Sequence, residues 1–434
     1  MTLESILERA NLKAAWEQVA RNNGAPGVDG MKAEDLLAHL SEQWGTYKQS
    51  LLEGKYRPQA VRRVEIPKPN GGVRQLGIPT VMDRFIQQAT ARKLDELYDP
   101  TFSESSYGFR QGRSAHQALD KALEHLNGGL SYIVEIDLEK FFDRVNHDRL
   151  MHQLGKRIGD KRVLKLVRSY LEAGVLENGI VRRNEEGTPQ GGNLSPVLSN
   201  IVLDELDKEL ESRGHKFVRY ADDISIYCAS QRAAERVLES VGQWIEKRLK
   251  LKVNREKSGI KRPSDGQLLG FGFYHSPQGI RPRISSKSYA RLKDKLKKLT
   301  CRSWSTSMAE RLGRLADATI GWANYFGVGD GKNRLKSMDE WLRSRLRMCI
   351  WKQWKKVKTR MASLRKLGAS EEQAYMWANT RKGPWRTAHS PILLTTISEI
   401  RLKQRGYVPL METYTLRRET LMNRRDTRPV RPVV

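Results

Sequence analysis

Two adjacent carboxylates, Asp222 and Asp223, lie between two short apolar runs, Phe217-Val-Arg-Tyr220 and Ile224-Ser-Ile-Tyr227. This pattern predicts a β-hairpin with the acidic pair at its turn. The two charges repel one another, and a tight turn has less costly residues available. A divalent cation offsets the repulsion. Carboxylate oxygens suit Mg²⁺, which keeps waters and substrate phosphates in its remaining positions. Tyr132-Ile-Val-Glu-Ile-Asp137 reads as another strand and brings a third carboxylate, Asp137, at its end. An Asp-Asp turn by itself is more often a solvated loop, so the surrounding segments decide.

Those segments form an ordered set. Gly187-Thr-Pro-Gln-Gly-Gly-Asn-Leu-Ser-Pro196 is a glycine-rich loop running into a helix, with Ser195 expected as N-cap and Pro196 in the first turn. Val197, Leu198, Ile201, Val202, Leu206 and Leu210 mark that helix's buried face. Such a loop lets backbone approach a nucleotide closely, and Gln190 can hydrogen-bond it. Between Tyr56 and Pro79, alternation on either side of Asn70-Gly71-Gly72 predicts two short paired strands. One helix is expected over 3–20 and another from Met82 to about Leu97; Val253 and Leu268–Tyr274 add strand signals.

Charge divides the chain. Residues 281–434 hold 36 Lys and Arg against 12 Asp and Glu, whereas residues 1–280 hold 42 against 38. The total of +28 points to a polyanionic partner, because basic side chains bind phosphates and release condensed counterions. Leu292, Leu296 and Leu299 form an apolar stripe backed by Arg291, Lys293, Lys295, Lys297 and Lys298. Trp341 to Lys358 repeats the pattern, and residues 423–434 read as a flexible basic tail. Cys228, Cys301 and Cys349 are isolated, so neither a disulfide framework nor a zinc ribbon is implied. With no signal peptide and no apolar run long enough to cross a bilayer, the expectation is a soluble, cytoplasmic protein without a membrane partner.

Tyr220-Ala-Asp-Asp, Glu135-Ile-Asp-Leu-Glu-Lys-Phe-Phe-Asp143, Gly187-Thr-Pro-Gln-Gly-Gly and Ser106-Tyr-Gly-Phe-Arg-Gln-Gly-Arg113 together resemble reverse transcriptases encoded by bacterial group II introns. The likeness continues through Lys252-Val-Asn-Arg-Glu-Lys-Ser258 and Leu269-Gly-Phe-Gly-Phe. Gly321-Trp-Ala-Asn-Tyr-Phe326 resembles their maturase-specific domain. The resemblance implies an α+β right-hand polymerase: fingers, a palm with an antiparallel sheet, and a helical thumb. Its divisions would be an N-terminal extension at 1–55, fingers and palm at 56–284, thumb and maturase-specific domain at 285–360, and a basic DNA-binding region with a flexible tail at 361–434. Scattered histidines and isolated cysteines lead us to expect the smaller kind of member, without an endonuclease domain.

The function implied is RNA-directed DNA synthesis with two Mg²⁺ ions (Mn²⁺ as a substitute), together with binding of the parent intron RNA in splicing and mobility. Partners would be the RNA template, a DNA or RNA primer, dNTPs and target DNA. By matched motif, Asp137, Asp222 and Asp223 become catalytic metal ligands, joined by the backbone of Leu138. Lys68, Arg74, Phe141, Phe142, Gln190 and Lys257 become dNTP-binding residues, with Phe142 as the aromatic gate that excludes a ribose 2′-hydroxyl. Arg63, Arg110, Arg113 and Tyr220 are candidates for template or primer contact, although a structural salt bridge serves Arg110 and Arg113 equally well. Two alternatives stay open: a splicing-only RNA-binding maturase, and a domesticated reverse transcriptase used in DNA repair.

Overall fold

A computed structural model describes residues 1–67, 73–177, 180–182, 187 and 191–426. The chain packs as two compact units, Met1–Arg262 and Pro263–Val434.

The first unit opens with α1 (Leu3–Ile6), α2 (Arg9–Asn22) and α3 (Leu36–Leu52). The single helix expected over 3–20 is therefore two. Glu8 takes an extended conformation between them, and the Leu3 amide is drawn off to Asp160 at 2.9 Å. Strands β1 (Val61–Pro67) and β2 (Val73–Ile78) pair antiparallel, with Pro67 opposite Val73. The base of this hairpin is anchored by Asp83 on α4 (Val81–Tyr98). Asp83 accepts from the Tyr56 hydroxyl at 2.7 Å, the Gln59 amide at 3.1 Å and the Thr80 hydroxyl at 2.7 Å. Burial pushes its carboxyl up, and those hydrogen bonds oppose the shift.

Then follow α5 (Ala115–Asn127), β3 (Tyr132–Ile136), α6 (His147–Gly155), α7 (Lys161–Leu171), β4 (Val175–Glu177) and β5 (Ile180–Arg182). A long helix, α8 (Ser195–Ser212), precedes β6 (Lys216–Tyr220), β7 (Asp223–Cys228), α9 (Gln231–Trp244) and β8 (Gly259–Lys261). Ser195 is the first residue of α8 rather than its cap; Leu194 occupies the cap position. One four-stranded sheet runs β2-β1-β4-β5, and the other, antiparallel, runs β6-β7-β3-β8. Val134, Ile136, Ile224 and Ile226 face a core shared with Val197, Leu198, Ile201 and Leu206 of α8. The expected buried face of α8 is thus the observed one.

In the second unit, β9 (Gln267–Leu268), β10 (Phe271–Ser276) and β11 (Gly279–Ile284) make a small antiparallel sheet. The packing places its main division at 262/263, because Phe271 stacks on Tyr325 and packs tilted against Phe326, and Ile284 joins the helical core. That core is built from α10 (Ser286–Leu299), α11 (Met308–Phe326), α12 (Lys332–Gln353) and shorter helices reaching Leu410–Asp426. Ser285 caps α10 through the Ser288 amide at 3.2 Å.

The two basic stripes turn out differently. On α10, Leu292 and Leu296 are buried while Arg291, Lys293, Lys295, Lys297 and Lys298 are exposed. On α12, Arg345 donates to the Thr300 hydroxyl and carbonyl at 2.6 and 2.9 Å, and Arg347 donates to the Ile397 carbonyl at 2.9 Å. Arg343 pairs with Glu399 at 3.2 Å. These three arginines knit the interior, and α12 ends at Gln353, so the positive face expected over 341–358 is reduced to Lys352, Lys355, Lys356 and Lys358. No helix among the described residues is long and apolar enough to cross a membrane.

Candidate active site

The hairpin predicted around Asp222 and Asp223 is present. Tyr220 pairs with Asp223, leaving Ala221 and Asp222 as a two-residue loop. Ile136 of β3 lies opposite Ile224 of β7, so continuing the antiparallel register sets Asp137 against Asp223. Local hydrogen bonds fix Asp137. Its amide donates to the Ser258 hydroxyl at 3.0 Å, and its carbonyl accepts from the Asn254 amide at 2.9 Å. Lys257 is exposed and places its Nζ 3.6 Å from the Asp137 carboxylate. The backbone of Leu138 bridges to Val253.

Asp223 keeps surface open to solvent. Even so, partial burial, followed by the charges of Asp222, Asp137 and Glu135, pushes its carboxyl up to about 6, with Lys257 opposing. The site thus carries more negative charge than its protein neighbours neutralise. As the side chains stand, no three Asp, Glu, His or Cys residues among those described form a ready-made metal cage. Yet the donors are oxygen-only, lie on adjacent strand ends and carry unbalanced charge, which fits a hard divalent cation.

Phe141 is buried and Phe142 half-buried, their rings edge-to-face with centroids 5.1 Å apart. Gly187 sits on this segment: its amide donates to the Val145 carbonyl at 2.9 Å, and its carbonyl accepts from His147 Nε2 at 2.6 Å. A Cβ at Gly187 would lie 2.6 Å from the Phe142 carbonyl oxygen. Gly187, the first residue of the glycine-rich loop, is therefore seated against the segment that carries Phe142. Lys68 and Gln190, and the side chain of Arg74, lie outside the described residues. Arg63 is half-buried on β1, opposite Gly77.

Of the two readings open for Arg110, the geometry supports the structural one. Its guanidinium is buried and donates to Asp99 at 2.6 Å and to the Ser103, Ser106 and Asp99 carbonyls at 2.6, 3.0 and 3.0 Å. Arg113 pairs with Glu104 at 2.5 Å and lies over the Tyr107 ring. Sequence reasoning passed over Arg219, which is fully buried and paired with Asp207 behind the acidic turn. Tyr220, the adjoining strand residue, is half-buried.

Two family models match the chain: reverse transcriptase (RNA-dependent DNA polymerase) over residues 66–273, and group II intron, maturase-specific domain, over residues 289–368. Protein YkfC of Escherichia coli is 34% identical over 282 residues, an alignment covering 56% of this chain and 74% of that protein. The chain belongs to the group II intron-encoded reverse transcriptase family. Group II intron-encoded protein LtrA of Lactococcus lactis is 39% identical over 206 residues, covering 47% of this chain and 34% of LtrA. The putative COX1/OXI3 intron 1 protein of Saccharomyces cerevisiae is 36% identical over 218 residues, covering 48% of this chain and 25% of that protein. The present reverse transcriptase thus spans about a third of LtrA and most of YkfC. Reverse transcriptases of this kind generally use divalent metal ions.

Proposed function

We propose that this chain extends a primer with dNTPs on an RNA template, at a centre formed by Asp137, Asp222 and Asp223. The observation that carries the reading is the register of β3 on β7, which brings Asp137 beside a hairpin whose turn holds the other two carboxylates. Two Mg²⁺ ions held there, with the Leu138 backbone, would activate the primer hydroxyl and stabilise the leaving pyrophosphate. Lys257, 3.6 Å from Asp137, balances charge at the centre and reaches toward the incoming phosphates. Phe142 stands under the sugar and excludes a 2′-hydroxyl by volume, with Phe141 packed behind it. Lys68, Arg74 and Gln190 complete the nucleotide's surroundings in this reading. Arg63 and Tyr220 contact template or primer.

The maturase-specific match at 289–368 supports a second role for the same chain, binding the parent intron RNA in splicing and mobility at target DNA. Residues 1–55, 56–284, 285–360 and 361–434 then serve as extension, fingers and palm, thumb with maturase-specific domain, and DNA-binding region. Primer extension on RNA with dNTPs and Mg²⁺ tests the reading, comparing wild type with Asp222→Ala/Asp223→Ala. Wild type should extend and the double variant should not. No extension by wild type would leave only the splicing role.

A further inference from the structure

The acidic turn is backed by a charge pair that solvent does not reach. Arg219 and Asp207 are both fully buried, with Asn200 beside them. Arg219 Nε donates to Asp207 Oδ1 at 2.7 Å and Nη2 to Oδ2 at 2.5 Å, a two-pronged pair. Its remaining nitrogen, Nη1, donates to Asn200 Oδ1 at 2.9 Å and to the Ala221 carbonyl at 3.1 Å. Burying such a pair costs nearly as much in lost hydration as the attraction returns, so stability alone does not account for its presence.

Ala221 supplies the reason. It is the first residue of the two-residue loop and has a φ of +56°, the left-handed region that such loops normally give to glycine. A residue with a Cβ is disfavoured there, because the Cβ crowds the following carbonyl oxygen. The guanidinium grips the carbonyl of this strained residue. On its other side Gly108 lies flush against the Ala221 amide, where any Cβ would collide with the turn backbone. Asn200 holds Gly108 in place by donating to its carbonyl at 3.0 Å. The Tyr107 amide donates to the Arg219 carbonyl at 2.9 Å, and the Arg219 amide to the Ser105 carbonyl at 2.9 Å.

We propose that Arg219, bracketed by Asp207 and Asn200, is a positioning residue that holds the Ala221–Asp222 turn in the conformation from which the carboxylates bind cation. The proposal rests on reading the site as a polymerase centre. Arg219→Lys tests it, since lysine keeps the charge and loses the fork. Two quantities are measured: Mn²⁺ affinity of the protein without nucleic acid, by electron paramagnetic resonance, and steady-state primer extension.

The expected result is a folded protein with Mn²⁺ affinity and kcat each reduced about tenfold or more, and KM for dNTP within about twofold of wild type. Adding Ala221→Gly should recover thermal stability without restoring Mn²⁺ affinity, because glycine removes the strain but also loosens the turn. Wild-type Mn²⁺ affinity and kcat in Arg219→Lys would overturn the proposal. So would full recovery of both by Ala221→Gly, which would reduce Arg219 to a stability role. Should Arg219→Lys fail to fold, Asn200→Ala carries the same expectation at about threefold, and wild-type values there would also overturn it. Failure of the wild type to extend a primer would instead sink the polymerase reading, while the Mn²⁺ measurement still reads the turn.

Discussion

Replacing Gly187 with alanine probes whether the glycine-rich loop truly sets the sugar gate. Gly187 has a φ of +88°, and a Cβ there would lie 2.6 Å from the Phe142 carbonyl oxygen and 2.7 Å from the Asp143 Cα and carbonyl carbon. All three are backbone atoms, so no flexible side chain can swing away. Left-handed backbone costs a residue bearing a Cβ about 1–2 kcal/mol. Forcing a methyl group into packed surroundings costs a further 1–3 kcal/mol or so. The combined loss of about 2–5 kcal/mol corresponds to a fall in Tm of roughly 4–20 °C, at about 2–4 °C per kcal/mol. Relief comes from displacing the Phe142–Asp143 backbone, so Gly187→Ala should also raise KM for dNTP and weaken discrimination against ribonucleotides. Differential scanning calorimetry and primer extension with competing rNTPs read the two effects. A variant that melts with the wild type and selects nucleotides as it does would refute the seating of Gly187 on this segment.

Phe142→Ala should admit ribonucleotides, with dNTP selectivity falling on the order of 10–100-fold in competition assays; unchanged selectivity would remove Phe142 from the gate. Asp223 has a carboxyl raised to about 6, so the folded, metal-free chain holds a proton that the unfolded chain has released. Its stability should therefore fall as pH rises from about 4 through about 6, and Asp223→Asn should flatten that fall in thermal melts; an identical profile would contradict the crowding of charge. Neutralising Arg291, Lys295 and Lys298 on the exposed face of α10 should weaken RNA binding and flatten its dependence on log salt by roughly 2–3 units if each contacts a phosphate. Arg345→Gln should instead lower Tm, because that side chain holds Thr300.

The acidic hairpin was legible because its determinants are local: alternation on both strands, a two-residue loop and a third strand leading directly into Asp137. The buried face of α8 was legible for the same reason of period. Arg219 was not, since Asp207 and Asn200 stand 12 and 19 positions away on another element, and nothing in Phe217-Val-Arg-Tyr distinguishes a buried guanidinium from an exposed one. The two basic helices show the same limit. Leucine spacing on α10 and α12 looks alike, but Arg345 and Arg347 find carbonyl acceptors in distant segments while Lys295 stays exposed. Arg110 resembled a phosphate ligand until Asp99 and three backbone carbonyls took up its donors.

In the proposed function Asp137 works with the Asp222–Asp223 turn as one centre for making DNA on RNA. Single-turnover primer extension on an RNA template, with saturating dNTPs and Mg²⁺, tests it most directly when Asp137→Ala is set beside Asp223→Ala. Each single variant should lose nearly all activity while binding the primer–template as wild type does. An Asp137→Ala protein that still extends the primer at the wild-type rate would rule Asp137 out of the centre.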